Sequence, residues 1–185
     1  MLALPRGGVP VAAEVASRLS APLGVILVRK LGVPGHSELA MGALAMIGPD
    51  VSLFRNVEVI RDLGISEPAF EAVRDRELAE LDRRRETFGT DVPEIADAEV
   101  IVVDDGLATG STMRAAVAAL RAKTPAKIIV AIPVGARSAV RAVGEVADLV
   151  LCPAMPEPFY AVGAAYRDFR QLTDDQVTAL LGERR

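Results

Sequence analysis

The residues best suited to chemistry lie together in VIVVDDGLATGST, at 100–112. Four apolar residues run into two adjacent acids, Asp104 and Asp105. Gly106 follows, and then a short hydroxyl-rich stretch, Thr109, Gly110, Ser111 and Thr112. A carboxylate pair where a buried strand ends sits at the crevice in which open α/β sheets bind ligands. Small hydroxyls and consecutive amides at a helix start suit an anion, because unsatisfied N–H groups and the positive dipole end favour negative charge. Two acids would repel a bare phosphate, yet they readily accept hydrogen bonds from neutral hydroxyls. A sugar phosphate satisfies both halves, with its hydroxyls on Asp104 and Asp105 and its phosphate on 109–112. An acidic strand end followed by an N-capping Ser or Thr explains Asp105 or Ser111 singly, but not the pair and the loop together. No Lys follows the second glycine, and no G-x-G-x-x-G is present, so neither a P-loop nor a dinucleotide fingerprint fits.

Elements of the right kind surround this segment. Short Val- and Ile-rich runs alternate with Ala- and charge-rich stretches of helical length, the pattern of βα units around a mostly parallel sheet. MLAL reads as a strand stub ended by Pro5 and the pair Gly7-Gly8, with a helix over 9–19 that tolerates Pro10 in its first turn. The run at 23–30 reads as a buried strand and GVPGHSELAMG as a mobile loop. ALAMIG and VSLFR read as short antiparallel strands about the turn Gly48-Pro49-Asp50. A helix is predicted from Ser66 to Phe88 with Gly89 as its stop, and its Arg83-Arg84-Arg85 cluster reads as a charged face interleaved with acids. Helices at 111–122 and 137–146 alternate with strands at 100–103, KIIVAIPV and DLVLC. Beyond Cys152, Pro153, Pro156 and Pro158 end regular structure before a short helix over 176–181.

Composition closes off other classes. The 185 residues are 51% hydrophobic and 25% charged, which describes one folded domain rather than a disordered or collagen-like chain. One cysteine and one histidine leave no Cys-based zinc site and no His cluster. A net charge of −4, two Tyr, five Phe and no Trp offer neither a basic footprint nor a stacking platform, so no nucleic acid is expected as partner. No apolar run reaches the length of a membrane span, so no membrane contact and a cytoplasmic location are the expectations.

The run at 100–112 resembles the phosphoribosyl diphosphate (PRPP) signature of type I phosphoribosyltransferases. LPRGGVPVA at 4–12 is similar to that family's pyrophosphate loop, and RKLGVPGHSELAMGA and PEPFYAVGAAYRDF look like further elements of a poorly characterised bacterial branch. The resemblance covers essentially the whole chain. It implies a twisted, mostly parallel sheet flanked by helices in a single domain over 1–185. Within it come a flap hairpin (33–60), a helical insertion (61–90) and a small C-terminal hood (152–185). Family members carry a segment before the first strand, so a start at Met1 implies a shortened or alternatively started form.

The resemblance also implies roles. Asp104, Asp105 and Arg6 would be catalytic, the acids holding the ribose hydroxyls and Mg²⁺ through substrate or water, and Arg6 the diphosphate. Gly7, Gly8, Lys30, Gly106, Ala108, Thr109, Gly110, Ser111 and Thr112 would bind substrate, and many family members carry an unusual cis peptide in the loop at 4–12. Phe159 and Tyr160, with Tyr166 nearby, would stack on an acceptor base, although core packing explains Phe159 equally well. Arg29 and Lys30 would end a strand facing the same crevice, or stand as solvated cations. His36 and Glu38 on the flap read as a proton-transfer group or as exposed residues. Cys152 reads as a small buried hydrophobe. Ala108 stands where 6-oxopurine enzymes carry an aspartate, which argues against hypoxanthine or guanine. The implied reaction transfers the phosphoribosyl group of PRPP to a nitrogen base or small amine, releasing pyrophosphate, in a homodimer. A PRPP-sensing regulator with weak or no turnover is the alternative.

Overall fold

The computed structural model describes residues 1–89 and 91–182, apart from the side chains of Ser37 and Glu38. In chain order the elements are β1 (Leu2–Ala3), α1 (Gly8–Leu19), β2 (Gly24–Val33), β3 (His36–Ile47), β4 (Asp50–Arg55), α2 (Val57–Asp62) and α3 (Glu67–Phe88). There follow β5 (Glu99–Val103), α4 (Ser111–Arg121), β6 (Lys127–Ala131), α5 (Arg137–Gly144), β7 (Leu149–Leu151), a 3₁₀ turn (Val162–Ala165) and α6 (Asp174–Gly182).

The strands form one seven-stranded sheet in the order β4-β3-β2-β1-β5-β6-β7. β2, β1, β5, β6 and β7 run parallel, and β3 and β4 add antiparallel at one edge. One face buries Val9, Ala12 and Ala16 of α1, Phe70, Val73 and Leu81 of α3, and Val177 and Leu181 of α6. The other buries Met113, Val117 and Leu120 of α4 with Ala139 and Val143 of α5. Strands covered on both faces must be apolar throughout, which is why β5 and β6 carry unbroken Val and Ile.

This strand order fixes where a ligand can sit. From β1 the chain moves through α1 to β2 on one side, whereas from β5 it moves through α4 to β6 on the other. The loops leaving the adjacent ends of β1 and β5 therefore diverge and open a crevice between them. Residues 4–8 and 104–110 are those two loops.

One expectation needs correction. The segment GVPGHSELAMG is no loop: β2 continues to Val33 and pairs with β3 down to Val33 opposite His36, with register shifts around Gly32. Its glycines and polar residues suggested a break, but Gly32 sits at an irregularity of the ladder and Gly35, at φ +78°, makes the tight turn. In addition, Val57–Asp62 forms a one-and-a-half-turn helix whose N-cap Asn56 accepts a hydrogen bond from the Val59 amide at 3.2 Å.

Candidate functional site

The site starts from two backbones in contact. Leu4 donates its amide to the Val103 carbonyl (2.9 Å), the last rung joining β1 to β5 before both chains turn out of the sheet. Past that rung, Gly7 and Gly8 lie directly on the two acids. A Cβ on Gly7 would overlap the carboxylate of Asp105, and one on Gly8 would stand 2.7 Å from the Val103 carbonyl oxygen and 2.9 Å from the Asp104 Cα. Only glycine allows this approach. The Pro5–Arg6 peptide at the head of the loop is cis.

Asp104 and Asp105 sit half-buried at the end of β5, and the Asp105 amide donates to Asp104 Oδ1 at 2.9 Å. Burial, and then the neighbouring charge of Asp105, pushes the Asp104 carboxyl up to about 7. Burial raises Asp105 as well, opposed by the amide of Gly106. Among the described residues neither acid has a Lys, Arg or His partner within 4 Å. Two carboxylates crowded together without a counter-charge are what a hydrated divalent cation would relieve. No group of three or more His, Cys, Asp or Glu residues that could hold a metal ion occurs among the described residues.

The following loop is pinned at one point and open at its tip. Leu107 donates to the Val134 carbonyl (3.0 Å) and accepts from the Ala136 amide (2.8 Å), tying it to the loop after β6. Gly110 takes φ +76° as the residue before α4, and the Ser111 amide makes only a long bond, 3.4 Å, to Thr109 Oγ1. Ala108, Thr109 and Ser111 are exposed, with the Thr109 and Ser111 hydroxyls 3.0 Å apart. The tip thus presents hydroxyls and helix-start amides to solvent, as an anion cradle requires.

A cavity of about 960 Å³ opens beside these loops, with Arg6, Gly7 and Asp105 on one wall. α1 contributes Pro10, Val11 and Glu14, and the C-terminal segment contributes Tyr166, Phe169 and Arg170. Tyr166 donates its hydroxyl to the Asp105 carbonyl at 2.5 Å, and its ring lies 5.1 Å from that of Phe169. Arg6 does not point freely into the cavity. Its Nε lies 2.8 Å from Asp174 Oδ1, and its Nη1 donates to the Leu172 carbonyl at 3.2 Å. Arg170, 89% exposed and paired with Asp168, is a second cation on the cavity wall.

Not all the expected residues meet here. Arg6, Gly7, Gly8, Asp104, Asp105 and Gly106 converge, with Ala108, Thr109, Gly110, Ser111 and Thr112 on the adjoining loop. Arg29 turns away, its Nε 2.8 Å from the buried Glu77 of α3. Lys30 is the next residue along β2, so it faces the opposite side of the sheet; it is exposed and lies outside the cavity wall. Tyr160 is 84% exposed and lines a separate cavity of about 490 Å³ with Val134, Met155 and Ala161, while Phe159 is half-buried and lines neither. The rings that line the cavity with Asp105 are Tyr166 and Phe169. Sequence spacing could not rank four rings within eleven positions, because the 3₁₀ turn at Val162–Ala165 decides which of them turn inward. His36 is exposed near the hairpin tip, and the Glu38 side chain lies outside the described residues. Cys152 is half-buried rather than buried, its Sγ 3.2 Å from the Ala154 carbonyl oxygen.

Comparison with known proteins identifies the family. The family model described as phosphoribosyl transferase domain matches residues 1–153. A protein provisionally named a phosphoribosyl transferase in Mycobacterium tuberculosis CDC 1551, and its counterpart in strain H37Rv, are each 46% identical over 183 residues. That match takes in 98% of this chain but 41% of each relative, so the chain spans about two fifths of their length. The crystal structure of TT1426 from Thermus thermophilus superposes with a TM-score of 0.79 at 38% identity, covering 99% of this chain and 86% of that one. AQ2163 from Aquifex aeolicus shares the fold alone, with a TM-score of 0.50 at 12% identity over 88% of this chain and 56% of that one. A seven-stranded α/β sheet with an acid pair and a glycine loop at its switch point, matched over most of its length by the family model, places this chain in the phosphoribosyl transferase domain family.

Proposed function

We propose that this chain binds PRPP together with Mg²⁺ and transfers the phosphoribosyl group to a nitrogen base or small amine. The single observation that carries this reading is the contact of the Gly7–Gly8 loop with the Asp104–Asp105 pair. It brings an acid shelf for ribose hydroxyls against a backbone able to approach a diphosphate. The 5′-phosphate would rest on residues 109–112, where the Thr109 and Ser111 hydroxyls meet the open start of α4.

In the proposed reaction the C1–oxygen bond of PRPP breaks, its electron pair leaving with pyrophosphate. A C1–nitrogen bond forms and the acceptor gives up a proton. Asp104 and Asp105 hold the sugar, and the pair's uncompensated charge suits the hydrated metal. Bound Mg²⁺ would supply charge neutralisation for the departing diphosphate. The loop amides around Gly7, with Arg170 on the cavity wall, favour negative charge building on the leaving group. The β2–β3 hairpin, ending at Gly35, would act as the flap that limits hydrolysis. Exposed Ala108 offers no proton-handling group for a 6-oxopurine.

The test is pyrophosphate release from PRPP and Mg²⁺ across a panel of nitrogen bases and amines. Turnover with one acceptor class supports the transferase, and no PRPP binding at all overturns it. One observation favours the sensing alternative. Arg6, the cation expected at the diphosphate, is held by Asp174 and Leu172 instead. Saturable binding without turnover on any acceptor would move the reading to a PRPP sensor.

A further inference from the structure

Beyond Val103, whose carbonyl accepts from Leu4, no strand partner among the described residues orients the backbone of β5, yet Asp105 must face the cavity two residues later. The peptide after Asp105 leads into Gly106, which has no side chain to fix it. The space a Cβ would take there is filled by Val162 Cγ1 at 2.7 Å and the Val134 carbonyl oxygen at 2.8 Å. The carbonyl of Asp105 accepts a hydrogen bond from the Tyr166 hydroxyl at 2.5 Å. Tyr166 in turn is set by Phe169, 5.1 Å away with the rings inclined at 38°, and Phe169 presses on Gly163, where a Cβ would stand 2.6 Å from its Cδ1. Val162 and Tyr166 thus grip the Asp105–Gly106 peptide from one short segment.

We infer that Tyr166 is a positioning residue for the sugar-binding acid: its hydroxyl, bonded to the Asp105 carbonyl, holds the peptide in the orientation that keeps the Asp105 carboxylate against Gly7 and toward the cavity. This rests on the PRPP-binding reading. Without that donor the carbonyl loses its hydrogen-bond partner, and the peptide keeps only its packing against Val162 and Val134 and the bond from the Gly106 amide to the Asp105 carboxylate. Its orientation loosens, and the carboxylate shifts with it.

Tyr166→Phe keeps the ring and its packing on Phe169, so the fold survives. Two readouts separate positioning from packing: Mg²⁺–PRPP affinity by calorimetry, and the orientation of the Asp105–Gly106 peptide, followed by the Asp105 carbonyl ¹³C and Gly106 amide ¹⁵N resonances. The expected result is a fivefold to tenfold weaker affinity, on the order of one hydrogen bond, with the PRPP KM rising more than kcat falls, and displaced resonances at that peptide. Unmoved resonances, whatever happens to melting temperature, overturn the inference, because the ring then only packs. Unchanged affinity with moved resonances overturns it too, since the hold on Asp105 would not serve ligand binding. A wild-type chain that binds no PRPP fails at the underlying reading instead, and overturns the inference through it.

Discussion

Arg6 Nε and Asp174 Oδ1 lie 2.8 Å apart, joining the glycine loop that leaves the central strand β1 to the first turn of the C-terminal helix. The pair is about one third exposed on each side, 28% and 31%, so it is worth little on its own. Its consequence is positional. While Asp174 holds the guanidinium, a diphosphate must either displace it or rely on the loop amides and Arg170.

Replacing Asp174 with Asn therefore frees Arg6. Mg²⁺–pyrophosphate should bind about twofold to fivefold tighter, matching the ~0.2–1 kcal/mol of an exposed pair. Calorimetry at low and high salt checks this. Weaker binding would mean that Asp174 presents Arg6 to the ligand rather than withholding it.

Gly7 and Gly8 should fail differently when given a methyl group. In Gly7→Ala the overlap is with the carboxylate of Asp105, which can swing away, so the fold survives and PRPP affinity falls more than tenfold. In Gly8→Ala the obstacles are the Val103 carbonyl oxygen and the Asp104 Cα, both backbone, and about 1–3 kcal/mol of stability is lost. Thermal unfolding beside ligand titration separates the two.

Asp104 makes stability depend on pH in a specific direction. Its carboxyl stands at about 7 in the folded chain against an ordinary 3.8, so the folded state holds the proton more tightly. That contribution is complete below pH 3.8 and is lost as pH rises through about 7. Asp104→Asn should consequently be more stable than wild type at pH 8, by up to about 4 kcal/mol, and the gap should close in acid. Urea unfolding at pH 4, 6 and 8 measures it. A constant difference across that range would contradict the burial of Asp104.

Much of this arrangement was legible in the residues. VIVVDD placed the acids at a strand end because four consecutive apolar residues belong to a strand covered on both faces, and β5 ends at Val103. A short helix is predicted over 176–181, and in the structure α6 spans Asp174–Gly182, with Thr173 and Gln176 bonded reciprocally, amide to side chain, at 2.9 and 3.2 Å. The continuous pairing of β2 with β3 escaped the local reading because Gly32 and Gly35, taken alone, break strands, whereas here one sits at a ladder irregularity and the other makes the turn. Arg29 looked like a crevice cation because its partner, Glu77, lies 48 positions away on a helix whose packing no local pattern reveals. For the same reason, neither the grip of Tyr166 on Asp105 nor that of Asp174 on Arg6 could be read from spacing.

The most direct measurement of the central claim is calorimetry of PRPP with the wild-type chain and with Asp105→Asn, each with Mg²⁺ and then with a chelator. The account predicts one saturable site that weakens sharply without the metal and at least tenfold in Asp105→Asn. Equal affinity in the two proteins, or no heat of binding in either, would contradict it.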